Sequence, residues 1–428
     1  MSEKVPRYQK SQSIRRAMVN PLPLIELGLA NITMIPFAYY FAKIKFSKPQ
    51  SLQTPEEIPQ SKILILLPIW NEQTVIKSKL DNLKQEVQSV NAESGNEISI
   101  LIIDSASTDK SVEFCKNWLR ENSEIFQEHQ IIQMDERKGK SAAVKLALES
   151  VNAASEDYEL VFMTDADAIL EDGCLLNLLR WFSIDSIGAV GATPNRKRGL
   201  SSETVHRDMF SMLRDYESRV GSTSMLEGSA MIWRSNLLKT DDIMIDSNAD
   251  DAQIATSIFL TGSRVIQAPD AKFIDYAPSK RSQQFRQKKR RGQGLIRNFL
   301  NSNKKVNSSS SLDLKSKRNY KLNHFFHVKA PWFSLGFLLA SALRHGVALV
   351  QSDYSSIWID LPSKITTIVE ATLLSSIILL NFGLRVPLLS ALGSFSAGMH
   401  ALISAWVSIL LGKTSNLWDQ HTETRVNR

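Results

Sequence analysis

The feature that most limits the fold is a series of short, largely apolar runs separated by amphipathic stretches. The runs cover residues 63–67, 98–103, 131–134 and 160–163. The stretches between them have helical spacing around Leu80 and Leu83 and over residues 112–119 and 141–151. Strands that are apolar throughout, alternating with helices, predict an α/β fold with a mainly parallel sheet covered on both faces. Ligands of such sheets bind outside the carboxyl ends of the strands.

Four longer apolar segments lie outside this region, at residues 21–46, about 330–350, 365–384 and 386–411. About 20 apolar residues cross a bilayer as a helix, so the last three predict C-terminal transmembrane helices. Residues 365–384 carry only Glu370 as a charge, and 386–411 carry none. Segment 21–46 contains Glu26, Asn31 and Pro36, so both a spanning and a membrane-associated helix remain open for it.

These patterns divide the chain into four parts. Residues 1–60 hold a basic tail and the first apolar helix, and 61–300 form the α/β domain. Residues 301–322 are a basic, serine-rich linker, and 323–428 are the transmembrane region. The two cysteines are far apart and lack histidine partners, so neither a zinc site nor a disulfide framework is indicated. No cleavable signal peptide is expected.

Polar residues follow the first two strands of the predicted sheet. Pro68, Asn71 and Glu72 come directly after the first strand, where proline ends the ladder and the polar pair faces the cleft. An ordinary strand-to-helix turn explains them equally well. Asp104 closes the second strand, while residues 107–109 are good helix caps that need no function.

Charged residues next mark two further turns. Lys140 follows a glycine at a predicted helix start, where free N–H groups suit a pyrophosphate. The spacing of a nucleotide-binding P-loop is missing. Asp165, Ala166 and Asp167 end the strand 160–163. Acidic pairs are common in loops, but two carboxylates at a buried strand end can collect a divalent cation together with phosphate oxygens.

Two candidates lie further along the chain. Asp250 and Asp251 open a helical pattern, either as caps or with one carboxylate as a base that deprotonates an acceptor hydroxyl. The basic run 280–291 includes Gln287, Arg290 and Arg291, which could bind phosphates or border the membrane. We expect no nucleic-acid partner, because Phe285 is the only aromatic residue in this run, which lies beside the predicted membrane helices.

Residues 63–294 resemble the family 2 glycosyltransferases, which have the GT-A fold. The turn from Pro68 to Glu72 is similar to the family's Pro-x-Tyr-Asn-Glu, with tryptophan in place of tyrosine. Residues 104–109 resemble Asp-Asp-Gly-Ser-x-Asp, except that Ser105 and Ala106 replace the second aspartate and the glycine. Gln287 and Arg290 match the Gln-x-x-Arg-Trp motif of membrane-bound polysaccharide synthases, in which Arg291 replaces tryptophan.

The resemblance implies roles for the candidate residues. Asp104 would contact the nucleoside base; Asp165 and Asp167 would hold Mg²⁺ or Mn²⁺ with the donor diphosphate, next to Ala166 and Lys140. Asp251 would be the base, with Asp250 the next candidate. Pro68, Asn71 and Glu72 would belong to the donor site, and Gln287, Arg290 and Arg291 to the acceptor and diphosphate site. A weaker match covers residues 227–230. The family inverts the anomeric carbon in one displacement.

The sequence therefore predicts a metal-dependent hexosyltransferase bound to the cell membrane by several helices, with its catalytic domain in the cytosol. Its partners would be a nucleotide-sugar donor, a lipid-linked or glycan acceptor, and membrane lipids. The few expected spans favour a single transfer to a lipid-linked acceptor. A processive polysaccharide synthase and a non-catalytic nucleotide-binding scaffold are the alternatives. A sugar nucleotidyltransferase is disfavoured, because an N-terminal glycine-rich loop is missing.

Overall fold

The computed structural model describes residues 21–47, 49–153, 157–196, 201–276, 280–352, 354–384 and 386–414. The basic tail expected at residues 1–20 lies outside the described residues, as does the end of the expected transmembrane region, 415–428.

An eight-stranded sheet occupies the middle of the described chain, in the order β3-β2-β1-β4-β7-β6-β8-β5. The strands are β1 (Lys62–Ile69), β2 (Glu97–Asp104), β3 (His129–Gln133), β4 (Leu160–Thr164), β5 (Ile169–Leu170), β6 (Ile187–Arg196), β7 (Ala230–Arg234) and β8 (Arg264–Asp275). The four strands predicted from the sequence are β1 to β4, and they pair in parallel. Strand β7 is antiparallel to both of its neighbours, β4 and β6, and β5 is antiparallel to β8. The sheet is therefore mixed but mostly parallel.

Helices cover both faces of the sheet and form the ends of the described chain. They are α1 (Pro21–Phe46), α2 (Ile76–Glu93), α3 (Ser111–Glu121), α4 (Lys140–Ala153), α5 (Cys174–Arg180), α6 (Ser201–Val220), α7 (Asp250–Leu260), α8 (Arg281–Ser308), α9 (Leu314–His324), α10 (Ala330–Val350), α11 (Leu361–Asn381) and α12 (Pro387–Leu410). A turn of π-helix, Phe325–Lys329, joins α9 to α10.

The central strands explain why both faces need cover. Side chains of a strand alternate between the two faces. Ile63 and Ile65 of β1 belong to one core cluster, with residues of α2, α3 and α5. Leu64 and Leu66 belong to a second, with residues of α4, α7, α8 and α9. Since every one of these β1 side chains is buried, the strand is apolar throughout and not alternating.

The segment expected as a linker, 301–322, is part of the folded domain. Helix α8 extends into it as far as Ser308, and α9 occupies its second half. Val306 and Tyr320 are buried, and the Tyr320 hydroxyl lies 2.7 Å from Ser302 Oγ. Ser302, Ser316 and Asn319 are buried as well, and other polar residues of the segment face solvent on two packed helices, so the abundance of polar residues does not make the segment a spacer.

Four helical stretches of the described chain are long and apolar enough to cross a membrane. They are α1, the continuous stretch Leu314–Val350 that ends with α10, then α11, and finally α12. Buried charges link the first three. Arg344 of α10 donates from Nε to both carboxylate oxygens of Glu26, at 3.0 and 3.1 Å, and from Nη2 to Glu370 at 2.7 Å. Buried ions in apolar helices must be paired, so these contacts fix α1, α10 and α11 as one bundle.

Helix α12 has a different environment. It begins beside the end of α11, where a Cβ on Gly393 would lie 2.7 Å from the Ser376 carbonyl oxygen. It then passes the first turn of α10, where the ring centroids of Trp406 and Trp332 are 5.5 Å apart. In between, the Phe395 ring lies 4.3 Å from that of Phe37 on α1. Helix α12 therefore crosses the bundle at one end.

That end is the one next to the sheet domain. Arg281, at the start of α8, donates to the carbonyl of Asn381, the last residue of α11, six residues before α12 begins. Arg297, sixteen residues later on α8, donates at 2.9 Å to Thr414, just beyond the end of α12. The residues that flank α12 on both sides thus lie along α8.

Candidate functional site

A cavity of about 290 Å³ opens at the carboxyl ends of β1 and β4. The sequence predicted that polar residues would meet at this edge. The predicted residues that line the cavity are Pro68, Glu72, Lys140, Asp165, Ala166, Asp167, Asp250, Asp251, Gln287, Arg290 and Arg291.

The acidic loop after β4 is held from below by a buried lysine. Lys79 of α2 donates from Nζ to Thr164 Oγ1 and to the Ala168 carbonyl, both at 2.7 Å. Lys79 thus hydrogen-bonds to the residue immediately before Asp165 and to the residue immediately after Asp167. Burial lowers the pKa of Lys79 to about 7, and the Asp165 carboxylate opposes this shift. Lys79 therefore fixes the loop and partly balances its charge.

Lys140 joins the acidic loop to the acids at the start of α7. Its Nζ lies 2.7 Å from Asp165 Oδ1 and 3.0 Å from Asp250 Oδ2. Burial lowers the pKa of Lys140, but the carboxylates of Asp165 and Asp250 more than offset it, so the pKa is raised. The lysine stays charged and can meet a diphosphate where the two acidic segments converge.

Asp251 contacts a glycine across the cavity, and neither acid of this pair is the N-cap of α7. The N-cap residue is Ala249, with no side-chain hydrogen bond. Asp251 Oδ2 accepts from the Gly228 N–H at 3.2 Å. A Cβ on Gly228 would come within 2.9 Å of Asp251 Cβ, so this position requires glycine. Burial and the Asp250 carboxylate raise the pKa of Asp251 to about 6. Such a carboxylate can accept a proton near neutral pH.

Helix α8 supplies the cationic wall of the cavity. Gln287 accepts a hydrogen bond from Arg207 Nη2 at 3.0 Å, and Arg207 also pairs with Asp275. A Cβ on Gly294 would lie 2.6 Å from Ala249 Cβ, so α8 packs directly against the loop before α7. This close approach sets the position of Arg290 and Arg291 relative to Asp251.

Two predicted residues do not line this cavity. Both carboxylate oxygens of Asp104 accept from the Ser107 N–H, at 3.2 and 3.1 Å, and Asn71 Oδ1 accepts from Thr108 at 2.7 Å. The Asp104 bonds lie within the loop after β2, and the Asn71 bond joins this loop to the one after β1. Between Asp104 and Ser107, Ala106 has a φ of +58°, a left-handed conformation that favours glycine. This is the position where the family motif has its glycine.

Three contributors to the site were not predicted from the sequence. Lys79 occupies the apolar face of α2 with Ile76, Leu80 and Leu83, and a lone lysine at that spacing indicates a buried charge. Arg207 carried no such signal. Neither did α12, which lines the cavity with Gly398, Ala401 and Leu402.

The model of the family described as "Glycosyl transferase family 2" matches residues 64–240. Among solved structures, the mannosyltransferase PcManGT from Pyrobaculum calidifontis, in complex with GDP-Man and Mn²⁺, is similar with a TM-score of 0.70 and 22% identity, over 92% of this chain and 99% of that chain. S. aureus TarS 1-349, in complex with UDP-GlcNAc, is a looser match, with a TM-score of 0.44 and 13% identity over 82% of this chain and 92% of that chain. No curated protein matches the sequence. The expected GT-A fold is confirmed, and residues 64–240 match the family 2 glycosyltransferases.

Proposed function

We propose that this protein is a membrane-bound inverting glycosyltransferase that moves a hexose from a nucleoside-diphosphate sugar to an acceptor at the cytosolic membrane surface. One observation carries the proposal. A single cavity collects the acidic pair after β4, the cation Lys140, the acids of α7 and the arginines of α8. These are the parts that a sugar transfer needs at its donor, leaving group and acceptor.

Asp165 and Asp167 are the residues that would hold Mg²⁺ or Mn²⁺. No group of three His, Cys, Asp or Glu side chains suited to a metal occurs among the described residues. Two carboxylates still fit, because these ions take oxygen ligands and are often bound by one or two carboxylates with the substrate's phosphates. When bound, the ion would neutralise charge on the departing diphosphate.

The protein's own groups would carry the rest of the reaction. Lys140 and Arg290 would face the diphosphate, and Asp251 would take the proton of the attacking hydroxyl. The acceptor oxygen bonds to the anomeric carbon as the carbon–oxygen bond to the diphosphate breaks, which inverts the configuration. An acceptor that is already a phosphate brings no proton to remove, so Asp251 would then orient it.

We also propose three membrane crossings, α1, α10 and α11, with α12 in the plane of the membrane surface. Length and composition admit α12 as a fourth crossing. Residues on both sides of α12, Asn381 and Thr414, accept hydrogen bonds from α8, and this favours the in-plane arrangement instead. Residues after α12 would then lie on the cytosolic side, beside the basic residues of α8.

Asp251→Asn tests the catalytic part of the proposal. With a hydroxyl acceptor, we expect the transfer rate to fall by roughly 10²-fold or more, with donor binding and thermal stability near normal. Asp241→Asn is the matched control, since the Asp241 side chain is 97% exposed and pairs with Lys145, and neither residue lines the cavity. Equal rates for both variants and wild type would exclude Asp251 as the base and make Asp250 the next candidate.

Two further measurements separate the alternatives. Incubating purified protein with Mn²⁺ and labelled UDP- and GDP-sugars would show turnover, whereas a nucleotide-binding scaffold would show none. Mass spectrometry of the products would distinguish single additions from the long chains of a processive synthase.

Cysteine labelling in sealed membranes tests the topology. We expect a label applied outside to reach Ser355→Cys, in the exposed turn between α10 and α11, and not Lys413→Cys. The natural cysteines are buried and should not react. Labelling of Lys413→Cys from outside would mean that α12 crosses the membrane.

A further inference from the structure

A narrow apolar groove leads from the membrane helices to the catalytic cavity. Its walls are α1, α6, the π-helical turn before α10, and α12, and its volume is about 90 Å³. Four residues line both the groove and the catalytic cavity: Phe210, His327, Gly398 and Leu402. The groove therefore ends where the polar site begins.

The groove wall is apolar because its polar neighbours bond among themselves. His327 Nδ1 donates to the Asn323 carbonyl at 2.8 Å, and Asn323 Nδ2 donates to Glu217 Oε1 at 2.6 Å. The Tyr40 hydroxyl also donates to Glu217. The remaining wall includes Phe41, Met209 and Phe395. A wall with so few open hydrogen-bonding positions suits hydrocarbon better than water or sugar.

The position of the groove indicates where its occupant comes from. Helix α1 belongs to the membrane bundle through Glu26, and α12 crosses the end of that bundle. A chain that leaves the bilayer at this level meets the groove first and the catalytic cavity second. The volume of about 90 Å³ holds a short stretch of one hydrocarbon chain.

We propose that the groove binds the hydrocarbon chain of a lipid phosphate acceptor that has a single chain, with its phosphate in the catalytic cavity. This assignment rests on the proposed function. At the cavity end, Arg207 lies one turn before Phe210 on α6, and Arg291 also lines the cavity. These cations suit a phosphate head group. The groove thus places a phosphate oxygen, the nucleophile, near the donor sugar.

Filling the groove tests the assignment. Met209→Trp enlarges a half-buried side chain of the groove wall, and Met212→Trp makes the same change on the exposed face of α6. We expect Met209→Trp to raise the KM for a 20-carbon isoprenoid phosphate at least about tenfold, since several methylene contacts are lost. Transfer to the five-carbon isopentenyl phosphate and donor hydrolysis should stay unchanged. Met212→Trp should behave as wild type. Equal KM values for both variants and wild type would overturn the assignment.

A second readout does not depend on activity. A single-chain lipid phosphate with a photoreactive diazirine on its tail should crosslink to peptides that contain Phe41, Met209 or Phe395. The unlabelled 20-carbon phosphate should compete. Crosslinks confined to outward-facing residues of α10, such as Leu339, would refute the groove. Equal competition by a two-chain phosphatidic acid would refute the single-chain assignment. Groove crosslinks in a protein without transferase activity would leave the lipid site standing and refute the proposed function.

Discussion

Replacing Gly228 with alanine would test the geometry of the site with one methyl group. The Cβ would lie 2.9 Å from Asp251 Cβ and 3.3 Å from Lys140 Nζ. Carbon atoms in contact prefer about 3.5–4.0 Å, so Asp251 must move by roughly 0.6–1.1 Å. The φ of Gly228 is outside the left-handed region, so alanine brings no backbone strain of its own. The clash therefore acts on the carboxylate.

A displacement of about 1 Å in a catalytic group can cost around 10²-fold in rate. We expect Gly228→Ala to lower kcat by about that factor, and overpacking to cost about 1–3 kcal/mol of stability. The assay is sugar release and transfer with Mn²⁺, normalised to folded protein, alongside thermal unfolding and donor titration.

Gly188→Ala on β6 provides the control for stability. There the Cβ would meet Ile258 Cγ2 at 2.7 Å and Ser263 Cβ at 2.6 Å, away from the catalytic cavity. It should destabilise the domain without lowering the rate per folded molecule. If Gly228→Ala keeps the wild-type kcat, or if both variants lose the same activity, the reasoning about Asp251 fails.

Three further predictions follow from the site. Because the pKa of Asp251 is raised to about 6, transfer to a hydroxyl acceptor should fall about tenfold per unit as the pH drops below 6, and Asp251→Asn should remove this dependence. Lys79→Met removes the bonds to Thr164 and Ala168, so calorimetry should find Mn²⁺-dependent donor binding about tenfold weaker, with an unchanged circular dichroism spectrum. Ala106→Gly relieves a left-handed alanine, so chemical denaturation should show a gain of up to about 1 kcal/mol, and a loss would contradict the strain.

The parallel half of the sheet was predictable because burial on both faces leaves a direct trace in the sequence. Strands β1 and β2 are buried over seven of their eight residues, so β1 is apolar from Ile63 to Ile69, and Ser99 alone interrupts the apolar run of β2 before Asp104. Strand β5 is only two residues long, and β6 carries polar residues at its end, so neither gave a clear pattern. The antiparallel direction of β7 depends on how the chain returns from α6, which no local pattern records.

The candidate site was predictable where a residue directly follows a buried strand. Asp165 and Asp167 follow β4, and their place at the sheet edge was expected from that alone. For Asp250 and Asp251, the sequence could not separate a helix cap from a catalytic acid, since both need acids in the first turn. The contacts with Lys140 and Gly228 distinguish the two, and they come from segments more than twenty residues away.

Helix α12 shows why hydropathy alone could not give the membrane arrangement. A helix that crosses lipid and a helix buried between lipid and protein both need apolar surfaces. Half of the most apolar window of α12 is buried inside the protein, compared with 22% for α1 and α11. Its small residues meet neighbours closely, as where a Cβ on Gly292 of α8 would lie 3.3 Å from Ala405 Cβ. The proposed in-plane arrangement places α12 along α8, whose Phe299 and Val306 pack in the core of the sheet domain. In this position α12 lines both the catalytic cavity and the apolar groove.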